Sequence, residues 1–102
     1  MRWMNGDDMS MVGRFAISKA GHDKGTLYVI VAQEGDFVYM SDGCGKTPEK
    51  PKKKRLKHVQ LMNDTVGEEL LFGLQGEKKV YPEEIRYARK QQLQGNKEMH
   101  NS

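Results

Sequence analysis

The chain has 102 residues and a formal net charge of +3, the length of a single domain. Leu, Ile, Val and Phe supply only 20 of the 102 residues, near the roughly 20% at which chains begin to lack a core, so one small core is expected, with part of the chain outside it. No apolar run approaches the roughly 18 residues of a membrane span, and the lone Cys44 excludes an intramolecular disulfide. With two acids and no hydrophobic signal region in Met1 to Asp8, the cytoplasm is the expected compartment.

The charge is unevenly distributed. Residues 1–45 sum to −2 and residues 59–102 to −1, whereas Lys46 to His58 sums to +6, with Glu49 its only acid. The chain therefore carries one basic patch and is otherwise mildly acidic.

Taken in order, residues 1–11 show no periodicity and are expected to form a loose arm before a single domain over 12–94. Val12 to Ile17 alternates as a strand, with Phe15 and Ile17 on one face. Leu27 to Ala32 and Phe37 to Met40 are β-branched and aromatic runs, and the polar Gln33 to Asp36 between them reads as a hairpin turn. Asp42-Gly43 closes the third strand. Gly45 to Leu56, with Pro48 and Pro51, reads as an extended basic loop, and His58 to Met62 as a fourth strand. Thr65 and Glu68 have the spacing of a capping box, ahead of a helix with Val66, Leu70 and Leu74 on one face. A second helix is predicted from Pro82, which suits the first helical turn, with an apolar stripe of Tyr81, Ile85 and Ala88 and a stop at Gly95. Residues 95–102 are expected to be a flexible tail. These elements make a mainly β fold: a small sheet that must curl to bury both faces, expected to close as a barrel without exposed edges, with one or two short helices after it.

Two segments concentrate the residues that bear on function. Ser18 to Gly25 joins the first two strands, with Gly21 and Gly25 free to take positive φ and Lys19 and Lys24 beside them; it reads as a simple connector or as a phosphate-facing loop. Lys52 to Lys57 holds five bases in six residues. Their mutual repulsion would be relieved by a polyanion, with counterion release driving binding. Tyr28 and Tyr39 lie next to these segments, as stacking surfaces for unpaired bases or as buried core tyrosines. His58 could meet phosphate or sugar, or cap the sheet.

Gly13-Arg14, Ser18-Lys19-Ala20-Gly21, Asp23-Lys24-Gly25, Asp42-Gly43, and Pro51-Lys52-Lys53-Lys54 followed by Lys57-His58 occur in an order and spacing that resemble a KOW motif. The chain resembles the KOW-domain RNA-binding proteins of Gram-positive bacteria, which are similar to the archaeal and eukaryotic large-subunit ribosomal protein fourteen. The likeness covers residues 12–62. It implies an SH3-like barrel, no catalytic activity and binding to ribosomal or other structured RNA. The candidate RNA-binding residues are Arg14, Lys19, Gly21, His22, Lys24 and Gly25 in the first segment. In the second they are Lys46, Lys50, Lys52, Lys53, Lys54, Arg55, Lys57 and His58.

Other chemistries find little support. Cys44 sits between glycines with no local activating motif beside His22 or His58, and Cys44, His22, His58 and His100 lack the short paired spacings of a zinc site. Glu68, Glu69, Glu83 and Glu84 fall at helix starts, where capping accounts for them. No catalytic residue, metal or cofactor is expected. The helix from Pro82 offers only Ile85, Ala88 and Leu93 as apolar anchors, too few for a membrane-surface role. A monomer is expected, working on or near the ribosome. The alternative is a KOW module that docks on a protein such as RNA polymerase or a translation factor.

Overall fold

The computed structural model describes the backbone of residues 11–76 and 78–101, and side chains as far as Gly95 apart from Glu77. Five antiparallel strands, β1 (Arg14–Ser18), β2 (Leu27–Glu34), β3 (Phe37–Ser41), β4 (Lys52–Arg55) and β5 (Val59–Thr65), form one sheet in the order β4-β3-β2-β1-β5. Helices α1 (Glu68–Leu74) and α2 (Pro82–Asn101) follow. Among the described residues, no helix is long and apolar enough to cross a membrane. The fold is mainly β, as expected.

The two-residue period of a strand sends alternate side chains to opposite faces, and here both faces are buried. On the outer face Phe15, Leu27 and Val29 pack with Val66, Leu70 and Ile85 from the helical third. On the inner face Ala16, Tyr28, Ile30, Val38, Met40 and Val59 form a second cluster. Val38 and Val59 share it although their strands are not neighbours, so the sheet is curled around them. Residues 1–10 of the expected arm lie outside the described residues. Met11 is tied down: its N–H donates to Gln33 Oε1 at 2.9 Å and its side chain joins the inner cluster.

The curled sheet is consistent with the expected small barrel, though its closure is not seen. Among the described residues β4 and β5 form no ladder and remain the two edges of the sheet. A single 3-10 turn, Leu56–His58, carries the chain from one edge to the other. It is held at both ends: the Leu56 N–H donates to the Asp36 carbonyl at 2.7 Å, and the Lys19 N–H to the His58 carbonyl at 2.8 Å. The seam is spanned by a turn rather than by backbone pairing.

Four expectations are revised. The basic segment is not wholly loop, because Lys52–Arg55 pairs with β3 as an edge strand. The Thr65 capping box is absent. Thr65 stays in β5 opposite Arg14, the Val66 N–H donates to the Gly13 carbonyl, and α1 starts after Gly67 with no side-chain cap. Burying Val66 in extended backbone outweighs one capping bond. Helix α2 does not stop at Gly95 but continues to Asn101, since one glycine costs about 1 kcal/mol and no proline follows it. The side chains of residues 96–102 lie outside the described ones. Lastly, Tyr81 is exposed rather than part of the α2 stripe, its ring lying 5.3 Å from the Lys79 ammonium.

The start of α2 is fixed against the sheet. Glu84 accepts a hydrogen bond from the Tyr81 N–H at 3.0 Å, Arg86 donates to the Gly43 carbonyl at 2.6 Å, and Arg89 donates to the carbonyls of Leu27 and Asp42. This approach needs a glycine at position 43. Its φ is +76°, and a Cβ there would lie 2.6 Å from the Pro82 carbonyl oxygen and 2.7 Å from the Arg86 nitrogen. Both obstacles are backbone, so the helix itself would have to move. Gly43→Ala is expected to cost about 2 kcal/mol or more. In thermal unfolding that is a fall in Tm of about 10 °C, and an unchanged Tm would show that α2 docks without this contact.

Candidate nucleic-acid interface

The centre of the candidate site is a part-buried ion pair. Lys54, one residue from the end of β4, faces inward with Val38 opposite it. Its ammonium reaches the β1–β2 loop, donating to Asp23 Oδ1 and to the Ala20 carbonyl, both at 2.8 Å. The side chains of Lys54 and Asp23 are only 10% and 17% exposed. Asp23 also accepts from the Ser18 hydroxyl at 2.9 Å and the Tyr28 hydroxyl at 2.7 Å. Burial opposes charge on this carboxylate, but the bonds from Lys54, Tyr28 and Ser18, with the Lys54 charge, outweigh it and hold the carboxyl well below the usual range. Tyr28 is pushed the other way, by its burial first and then by its bond to Asp23 and the charges of Asp23 and Asp42, against Arg89.

This network separates the fourteen sequence-predicted residues into groups. Around the β1–β2 loop, Lys19, His22 and Lys24 are exposed, and Gly21 and Gly25 have φ of +89° and +90°. Lys54 belongs to the loop's support. His58 adjoins it, since its carbonyl accepts from the Lys19 N–H, and Lys57 stands exposed on the same turn. Along β4, Lys53 and Arg55 point outward and are exposed, while Lys52 shares the inner face with Lys54 and is half-buried. Lys46 and Lys50 lie apart, in the loop that follows β3. The Lys46 carbonyl accepts from the N–H groups of Asp42 and Gly43, the Lys50 N–H donates to Thr47, and this loop abuts the start of α2. Arg14 is occupied elsewhere, donating from Nε to the Met62 carbonyl at 2.8 Å.

Of the two tyrosines considered for stacking, Tyr28 is buried and hydrogen-bonded, which removes it. Tyr39 is half-buried on the outer face. The sequence reading missed Phe37, two residues earlier on that face. The Lys53 ammonium lies 4.3 Å from the Phe37 ring centroid and 5.9 Å from that of Tyr39, and the Arg55 guanidinium carbon lies 5.1 Å from the Phe37 centroid. The missed signal was the basic strand itself. Once Lys52–Arg55 pairs with β3, its outward residues must sit opposite Phe37 and Tyr39.

Compared with known proteins, the chain matches no protein-family model and no curated protein sequence.

Two expectations test this network. Lys54→Met leaves a part-buried carboxylate without its cation and should cost about 1–3 kcal/mol; a change below about 1 kcal/mol in denaturant unfolding would show that the pair is not stabilising. The pH dependence follows from the depressed Asp23 carboxyl. Such a group stabilises fully above its unfolded value, about 3.9, and the contribution is lost as pH falls toward the folded value. Wild type should therefore lose stability below about pH 4 more steeply than Asp23→Asn, and parallel curves would refute the assignment. Tyr28 has the opposite sign: its contribution is present below about pH 10 and declines above it.

The loop backbone offers a separate test. Gly25 has open space around a would-be Cβ, so any penalty at this site comes from its φ of +90°. Gly25→Val should cost about 1–3 kcal/mol. Gly35→Ala, at φ +58° within the left-handed region, should cost less; equal costs would deny the β1–β2 loop a special backbone requirement.

Proposed function

We propose that the protein is a non-enzymatic RNA-binding module of the KOW type, acting in the cytoplasm on ribosomal or other structured RNA. The observation that carries this reading is the tie between Lys54 and the β1–β2 loop. It draws the glycine loop, with exposed Lys19, His22 and Lys24, up to the basic edge strand and turn, with exposed Lys53, Arg55 and Lys57. Lys19, Lys24 and Lys57 thus gather at the loop and the turn beside it, and Lys53 and Arg55 stand on the outward face of the edge strand that Lys54 ties to that loop, in a chain that is elsewhere slightly acidic. Like charges gathered in this way are relieved by a polyanion, and phosphate binding releases its condensed counterions. Phosphate contacts of this kind position a protein on RNA and carry no base information, which suits recognition of folded RNA by shape.

The test is a salt titration of binding to a structured RNA. If Lys19, Lys24, Lys53, Arg55 and Lys57 each neutralise one phosphate, log K should fall by roughly 3.5 to 4.5 per decade of salt. Replacing Lys53, Arg55 and Lys57 with Ser, while keeping Lys54 so that the fold is retained, should reduce this to roughly 1.4 to 1.8. A variant that binds as tightly and with the wild-type slope would reduce the segment to a solvated charge run. Docking on a protein partner would then be the better reading.

A further inference from the structure

The outward face of β3 and β4 carries a feature that phosphate binding alone does not use. Phe37 and Tyr39 are two residues apart on one strand, so their rings stand on the same face. Arg55 and Lys53 lie directly across from them in register. Toward the sheet interior, Glu34 and Ala32 occupy the paired positions on β2, and the Tyr39 hydroxyl donates to Glu34 at 3.2 Å. Beyond Tyr39 the face continues into an open cleft of about 490 Å³ with an apolar floor and wall that include Ala32, Pro48, Pro51, Leu74 and Val80. Val66, with Leu70 and Ile85 from the helices, covers the outer face over β1 and β2; among the described residues, Phe37 and Tyr39 join neither core cluster and are half-buried.

We infer that this strip is a stacking platform for unpaired bases of an RNA strand, with Phe37 and Tyr39 as the stacking rings and Lys53 and Arg55 as flanking phosphate contacts. The inference rests on the RNA-binding reading above and specifies which RNA the site takes. Aromatic rings interleaved with cations match a single strand, in which bases alternate with phosphates; a duplex hides its base faces. The cations now lie over the rings in exposed cation–π contacts, which are weaker than base–aromatic stacking. A base arriving on Phe37 therefore displaces the Lys53 ammonium at a net gain, and the freed ammonium meets the phosphate beside that base. Among the described residues, Glu34 is engaged by the Tyr39 hydroxyl and lies on the side away from β4, and Glu49, in the wall of the adjoining cleft, lies 3.9 Å from the Lys79 ammonium. Charge complementarity along β4 favours RNA over an apolar protein segment as the occupant.

The experiment compares the full chain binding a single-stranded RNA and a blunt RNA duplex with equal numbers of phosphates, the single strand carrying 2-aminopurine as a stacking reporter. Wild type should favour the single strand by roughly tenfold, the effect of about one stacked base, and should quench the reporter. Phe37→Leu keeps apolar cover over the strand but removes the ring. It should abolish most of that preference while leaving the salt dependence of duplex binding unchanged, and Tyr39→Phe should retain the preference. Equal wild-type affinity for both RNAs without quenching would overturn the platform and leave the RNA-binding reading standing. So would a folded Phe37→Leu protein with the full preference. Failure to bind either RNA would overturn both. The quenching measurement is made on wild type, so the platform is tested even if the variant does not fold.

Discussion

The contact between Lys54 and Asp23 is the constraint on which the rest of the molecule depends. β4 is a four-residue edge strand built entirely from bases, and lysine has little intrinsic preference for strands. Its pairing with β3 has to be supported from outside the ladder. The Lys54 ammonium provides that support by crossing the curled sheet to the β1–β2 loop, where Asp23, already bonded to Ser18 and Tyr28, waits as an acceptor. One interaction thus pins an edge strand, orders a glycine-containing loop and joins elements far apart in sequence. A part-buried pair of this kind adds little net stability over an apolar alternative, but removing one partner strands the other. Its contribution here is the definition of a single arrangement of the loop against the edge.

Alternation resolves the repulsion within the basic run. Extended backbone sends Lys52 and Lys54 inward and Lys53 and Arg55 outward, so consecutive charges face opposite sides. Inward, Lys54 meets a carboxylate; outward, Lys53 and Arg55 lie over aromatic rings. Charged residues on an edge strand also prevent another chain from adding to the sheet. The run therefore has a structural role on one side of the strand and leaves cations facing solvent on the other.

Much of the fold was legible in the sequence because it follows from apolar periodicity. β1, β2, β3 and most of β5 follow from alternating or β-branched runs, and Phe15 and Ile17 do share the outer face as the period requires. β4 was not legible, because its residues carry no apolar signal and only tertiary pairing makes them a strand. The ends of the helices were misread for a related reason. The Thr65 to Glu68 spacing competes with the burial of Val66, and Gly95 competes with good helix formers on both sides; burial and propensity prevailed. In the candidate site, the two basic segments were visible as charge, but the division of labour within them was not. Nothing in the spacing distinguishes Lys54, which holds the loop, from Lys53, which lies over Phe37. Arg14, Arg86 and Arg89, which donate to backbone carbonyls, are likewise indistinguishable in sequence from arginines that would face a ligand.

That last group also explains why the aromatic strip lies where it does. Arg86 and Arg89 anchor α2 to the carbonyls of Gly43, Asp42 and Leu27, where β3 ends and β2 begins, and Ile85 is buried between helix and sheet. With its first turn fixed there, α2 lies over the β1 and β2 side of the outer face, and α1 is too short to cover the remainder. The helical layer stops at Leu74 and Val80, the wall of the cleft next to Tyr39. A larger apolar content would have allowed the helices to cover β3 and β4 as well. In a chain with so few large aliphatic residues, the outer face beyond that wall is instead covered by what the edge strand supplies, the stems and charges of Lys53 and Arg55. The same scarcity that limits the core thus leaves the two aromatic rings, among the described residues, under the Lys53 and Arg55 side chains rather than under a packed helical layer.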